Sequence, residues 1–230
     1  MEKFTVKDLN ITYNGKNRKK VYAVDDISFE LKAGESLGII GESGSGKSTM
    51  IHSFLRLLPE KTAAVTGHAY FDDIDLLNCG EKELKDLRWK EIAVVFQKSM
   101  NSLSQIHKIG TQFEDIYREH YPKARKQEMK EAICNLLEIV NLGPHVYQMY
   151  PFELSGGMQQ RLNIALSLMF HPSLLIMDEA TTALDVITQG QIMDEISEIE
   201  KRFSITRIMI THDLSVVASS CERILVIYAG

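Results

Sequence analysis

The 230-residue sequence has three cysteines, five prolines and one tryptophan, and its 26 Lys and Arg are outnumbered by 31 Asp and Glu. Each shortage excludes something. Cys79, Cys134 and Cys221 are scattered and odd in number, which indicates neither a disulfide framework nor a zinc knuckle. The expectation is free, buried thiols in a cytosolic protein. A net charge of −5 leaves none of the basic footprint of a nucleic-acid partner. No apolar run approaches the ~20 residues that cross a bilayer as a helix. Met1-Glu2-Lys3 leads straight into a strand-like segment rather than a signal peptide. Repeats and low-complexity tracts are absent, and the short basic run over 16–20 reads as a solvated hairpin tip.

Glycine is where the sequence spends its conformational freedom. Residues 41–49 read Gly41-Glu42-Ser43-Gly44-Ser45-Gly46-Lys47-Ser48-Thr49, which fits the phosphate-loop pattern G-x-x-x-x-G-K-[ST]. The pattern predicts a buried strand over 36–40 and a helix over 48–55, the context that such a loop requires. Gly41, Gly44 and Gly46 allow positive φ and close approach of a ligand. Successive N–H groups then converge on one concavity at the positive end of a helix dipole. Lys47 adds a full charge for the β- and γ-phosphates, and the Ser48 hydroxyl suits Mg²⁺. All nine residues are candidates for binding a nucleoside triphosphate.

A magnesium site needs a carboxylate as well. Leu174 to Met177 is a continuous apolar run, as in a strand buried on both faces, and it ends in Asp178-Glu179. In open α/β sheets ligands sit at the carboxyl ends of strands. Asp178 is therefore assigned to Mg²⁺, through water, and Glu179 to the general base that polarises the attacking water. The alternative is an acidic helix start that only complements the dipole.

The remaining pattern is mixed. Phe4, Val6, Leu9 and Ile11, then Ile27, Phe29 and Leu31, predict antiparallel strands within 3–35, joined by another over 65–71. Met129, Ile133, Leu136, Leu137 and Val140 recur at helical spacing. A helical stripe of Ile192, Ile196, Ile199 and Phe203 reads as core. Ile224 to Tyr228 is the last predicted strand.

With these motifs goes an eight-residue stretch, Leu154-Ser155-Gly156-Gly157-Met158-Gln159-Gln160-Arg161, that most phosphate-loop proteins lack. Ser155 before glycine reads as a helix N-cap, and a helix start with free N–H groups is itself an anion site. On these features the chain resembles the ATP-binding-cassette (ABC) ATPase family over essentially its whole length. The resemblance implies an α/β phosphate-loop fold: a mainly parallel core sheet, an antiparallel β lobe and an inserted helical lobe. Residues 1–97 and 162–230 would form the core and β lobe, and about 98–161 the helical signature lobe. It implies that Tyr13 stacks on adenine, where its position alone also fits a strand-end aromatic. Gln97 would touch the metal and the attacking water, and His212 would contact the γ-phosphate. Ser155, Gly156, Gly157 and Gln159 would act on ATP held by a partner subunit, and Asp185 would communicate across the dimer.

Phe96-Gln97-Lys98-Ser99-Met100-Asn101-Ser102-Leu103, together with Tyr150-Pro151-Phe152-Glu153 and the stretch 181–186, resembles the D-type ATPases of dipeptide, oligopeptide and nickel importers. Departures from that group are Ala180 in place of proline, Ile187-Thr188 in reversed order and Ser104-Gln105 in place of Asn-Pro; none removes a catalytic group. The implied partners are a second, different ATPase subunit, two membrane permease subunits and an extracytoplasmic binding protein, at the cytoplasmic face of the membrane. Exporter cassettes and soluble non-transport ABC ATPases are the alternatives; the latter carry coiled-coil inserts or basic faces that this sequence lacks. Members of the group continue past the position of Gly230 with an extension that is absent here. A truncated form or a short gene is the expectation, and no feature of the extension is carried over.

Overall fold

A computed structural model describes residues 2–14, 20–88, 90–96, 103–181 and 184–230. Gln97, most of the basic run at 16–20, residues 98–102 and Thr182-Ala183 lie outside the described residues.

Two long strands, β1 (Glu2–Asn14) and β2 (Lys20–Lys32), form an antiparallel pair. They are joined by β4 (Ala63–Phe71) and the two-residue β5 (Ile74–Asp75), in the order β2-β1-β4-β5. The apolar residues of β1 slip phase between Val6 and Leu9, yet Phe4, Val6, Leu9 and Ile11 are all buried. A β-bulge absorbs the slip. Asp8 takes a left-handed φ of 49° and the β1–β4 register shifts between Lys7 and Asn10. Gly67 on β4 answers it with φ 98°, and a Cβ there would lie 2.4 Å from the Asp8 carbonyl oxygen.

The second sheet is wholly parallel, ordered β6 (Ile92–Val95), β7 (Leu174–Asp178), β8 (Thr206–Ile210), β3 (Ser36–Gly41), β9 (Arg223–Ile227). It is the middle layer of the molecule, because alternate side chains enter different cores. Leu174, Ile176, Ile208 and Ile210 pack with the antiparallel sheet and helix α1 (Lys47–Phe54). Leu175, Met177 and Met209 pack on the other side with the remaining helices. Burial on both faces is why β7 and β8 read as unbroken apolar runs.

That second core takes in α3 (Ile109–His120), α4 (Lys126–Ile139), α5 (Gly156–Leu168), α6 (Val186–Phe203) and α7 (Leu214–Ser220). Helix α2 (Glu81–Leu87) belongs to the first core through Leu84. The expected stripe Met129, Ile133, Leu136 and Leu137 is the buried face of α4. Helix α5 runs without a break through residues 161 and 162. The three cysteines are free, as expected, but each is half-buried rather than buried.

Candidate functional site

The loop after β3 is shaped by its glycines. Gly44 and Gly46 have φ of 83° and 99°. A Cβ on Gly46 would come within 1.9 Å of the Ala23 carbonyl oxygen, so β2 lies directly against the loop. The same end of the antiparallel sheet carries Tyr13, half-buried on β1 and paired with Val21 and Ala63. Helix α1 starts at Lys47, with Gly46 as a cap that offers no side chain. The first N–H groups of α1 are therefore left for an acceptor outside the helix.

Lys47 is buried, and its ammonium hydrogen-bonds to neutral groups of the loop itself. Nζ lies 2.8 Å from the Gly41 carbonyl, 2.7 Å from that of Glu42 and 3.4 Å from Ser45 Oγ. A buried cation held by dipoles is poised for an anion.

One residue on, Ser48 Oγ donates to Asp178 Oδ1 at 2.9 Å. Burial pushes the Asp178 carboxyl above the usual carboxylate range, while the Ser48 hydroxyl and the nearby His52 pull the other way. The pair offers hard oxygen donors, the chemistry that suits Mg²⁺. His52 was not among the expected site residues. It sits one helical turn after Ser48, with Nε2 3.9 Å from Asp178 Oδ2 and its ring edge-on to Phe96 at 5.6 Å. The i, i+4 spacing from Ser48 was the only sequence signal for it.

Glu179 follows at the carboxyl end of β7, in a left-handed turn of φ 48° whose N–H bonds to the Ile210 carbonyl at 2.9 Å. Such a backbone is uncommon outside glycine and marks constrained sites. His212 leaves the end of the neighbouring strand β8, and its Nδ1 lies 3.8 Å from Glu179 Oε1. Lys47, Ser48, Asp178, Glu179 and His212 thus gather at the carboxyl ends of three adjacent strands. Gln97 lies outside the described residues, one position past Phe96.

The second group of expected residues forms its own cluster. Ser155 caps α5, accepting from the Met158 N–H at 3.3 Å. Gln159 Nε2 donates to the carbonyls of Pro151 and Leu154 at 3.1 and 3.3 Å, holding the segment before the cap. Asp185 caps α6 through the N–H and hydroxyl of Thr188, at 3.0 and 2.7 Å. Those bonds hold its carboxyl below the usual range. Among the described residues, no hydrogen bond or ion pair joins this cluster to Lys47 or Ser48.

These features, a phosphate loop on a parallel sheet with two carboxylates at the neighbouring strand end, define a nucleoside-triphosphate-binding domain. Comparison with known proteins makes this specific. The profile of the ABC transporter family matches residues 24–182. The oligopeptide transport ATP-binding protein OppD of Escherichia coli (strain K12) is 42% identical over 228 residues, 98% of this chain and 66% of that protein. The dipeptide transport ATP-binding protein DppD of Bacillus subtilis (strain 168) is 40% identical over 237 residues, all of this chain and 69% of that protein. The chain thus spans about two thirds of the length of these relatives. A dimeric cassette, MJ0796, described in a post-hydrolysis state bound to ADP and Pi, superposes with a TM-score of 0.84 at 29% identity, covering 99% of this chain and 95% of that one. The chain belongs to the ABC transporter family.

Proposed function

We propose that this chain is the ATP-hydrolysing subunit of a peptide importer, working at the cytoplasmic face of the cell membrane. One observation carries the reading: Glu179 and His212 face each other across 3.8 Å at the ends of adjacent strands, beside the Ser48–Asp178 pair of the phosphate loop. ATP would lie with its phosphates along residues 41–49 and its adenine on Tyr13. Ser48 and Asp178, with Gln97 as a third ligand, would hold Mg²⁺, which supplies positive charge to the β- and γ-phosphate oxygens. Lys47 would neutralise the same oxygens. Glu179 would accept the proton of an in-line water, while His212 holds the γ-phosphate and orients that water. Little covalent work falls to the protein in such a transfer, so positioning and charge dominate.

The site is completed by a second chain. Ser155, Gly156, Gly157 and Gln159 would close over ATP held by the partner, through the free N–H groups at the start of α5. Asp185 would report the closure across the dimer. In the transporter the partner is a second ATPase subunit of different sequence, while the isolated chain would be mainly monomeric and pair transiently with a second copy of itself. The helical region of about 98–161 would swing with the coupling elements of two permease subunits. An extracytoplasmic binding protein would deliver the cargo. Peptides are taken over nickel or metal chelates because the relatives described above are named for oligopeptide and dipeptide transport.

Complementation tests this. Lys47→Ala and Ser155→Arg should each be inactive alone. Mixed, they should recover ATPase activity, because one composite site then keeps an intact loop and an intact signature. A rate per chain that stays constant down to dilute monomer, with no recovery on mixing, would sink the two-chain site.

A further inference from the structure

Arg161 closes the signature stretch but has no part in the chemistry above. Its guanidinium makes a two-pronged contact with Glu195, Nε to Oε2 and NH2 to Oε1, both at 3.0 Å. Both side chains are only 17% exposed. This is the fork-to-fork geometry that fixes direction as well as distance, in a place where water screens it poorly.

The contact joins two helices whose first residues carry the two expected dimer motifs. Arg161 lies on α5, which starts at the signature; Glu195 lies on α6, which starts after Asp185. A second contact lies nearer those starts. A Cβ on Gly157 would sit 2.9 Å from Thr188 Cγ2, so the signature backbone packs directly on the residue that bonds the Asp185 carboxylate. Gly157 and Arg161 are four residues apart, and Thr188 and Glu195 are seven. Each spacing returns to the same helix face. The two contacts therefore pin α5 and α6 at two successive points along one seam.

We infer that the Arg161–Glu195 pair is a positioning couple that sets the signature helix start against the Asp185 turn, so that both meet the partner chain as one rigid unit. The inference rests on the two-chain reading above. Gly157–Thr188 alone is a pivot, about which α5 could rotate. Arg161–Glu195 removes the rotation, and with it the misplacement of the Ser155–Gly157 N–H groups.

The test uses the full chain and its ATPase rate. Arg161→Ala should lower turnover on the order of tenfold to a hundredfold, the usual effect of a small misplacement at a phosphate clamp. Binding of a fluorescent ATP analogue to its own loop should stay within about twofold, since that loop is a separate site. Glu195→Gln should behave alike, and the charge swap Arg161→Glu with Glu195→Arg should restore most of the rate. Complementation separates positioning from general damage. Arg161→Ala should recover activity when mixed with Lys47→Ala, which supplies a sound signature, and should not when mixed with Ser155→Arg. Wild-type turnover in Arg161→Ala, loss of analogue binding in step with turnover, or recovery with Ser155→Arg would each overturn the inference. If the control mixture of Lys47→Ala with Ser155→Arg stays inactive, the two-chain reading itself falls and this inference with it.

Discussion

The two ends of the parallel sheet each bury a cation, and they treat it in opposite ways. At the carboxyl ends, Lys47 hydrogen-bonds to two carbonyls and a hydroxyl. At the amino ends, Arg207 at the start of β8 is fully buried, with Nε 3.0 Å from Glu200 Oε1 and a guanidinium N–H given to the Ser220 carbonyl. The first charge is held by dipoles and awaits an anion from outside; the second has its partner carboxyl and a carbonyl within the fold. A buried charge is costly unless compensated. Where the chain supplies the compensation, the charge is structural; where it supplies only dipoles, the charge belongs to a site.

Breaking the first end should remove chemistry and spare the fold. Lys47→Ala should reduce nucleotide binding and turnover to background while leaving the urea midpoint close to wild type. A midpoint that collapses would place Lys47 with Arg207 and end the distinction. Glu179→Gln sharpens the same point within the site. The amide keeps the shape but accepts no proton, so turnover should fall ~10²–10⁴-fold while ATP affinity holds. With one negative charge fewer beside the γ-phosphate, the ATP-bound dimer should persist in sedimentation. Steady hydrolysis above about a tenth of wild type would contradict the general-base role, since losing such a base costs ~10²-fold or more.

Breaking the other end should do the reverse. Above the pH at which Glu200 titrates, Arg207→Ala strands the Glu200 carboxylate in the interior, a change that typically costs ~3–5 kcal/mol. The urea midpoint should drop accordingly, and the nucleotide affinity of the molecules that remain folded should match wild type. A stable Arg207→Ala variant with weakened nucleotide binding would mean that both ends serve the site.

The two ends also differ in how far they were legible. The loop could be read because a left-handed backbone demands glycine at fixed spacing, so Gly44 and Gly46 announce the geometry in the sequence itself. The strand carrying Asp178 and Glu179 could be read because burial on both faces leaves an unbroken apolar run. Even the slip between Val6 and Leu9 was visible as a broken alternation, although it takes the pairing of β1 with β2 and β4, and Gly67, to reveal a bulge. Arg207 gave no such sign. It sits between Thr206 and Ile208 like any polar residue at a strand edge, and although Glu200 is only seven residues earlier, at the end of the preceding helix, no motif or periodicity in the sequence pairs the two. Arg161 and Glu195 are hidden for a different reason: they lie 34 residues apart in sequence, and only the packing of two helices joins them. His52 could be noticed only as a turn-spaced neighbour of Ser48. The cysteines erred the other way: small apolar side chains are usually buried, but Cys79 and Cys221 lie at element margins and Cys134 lies within α4 but off its buried face.

The smallest expected effect concerns Glu200 and is a matter of pH. Burial raises its carboxyl to about 7, against the pull of Arg207. Its folded value therefore lies above the ordinary carboxylate value, so the folded state binds the proton more tightly than the unfolded chain does. The stability this contributes is fully present below about pH 4.5 and is lost as pH rises through about 7. The full swing is about 3 kcal/mol at most. Glu200→Gln carries no titrating proton and keeps a carbonyl for the guanidinium. It should flatten the urea-stability profile between pH 5 and 8, remain within about 1 kcal/mol of wild type at the acid end, and leave nucleotide affinity untouched. The opposite slope, with wild type gaining stability over Glu200→Gln as pH rises, would mean that Arg207 outweighs burial and that the carboxylate is charged throughout.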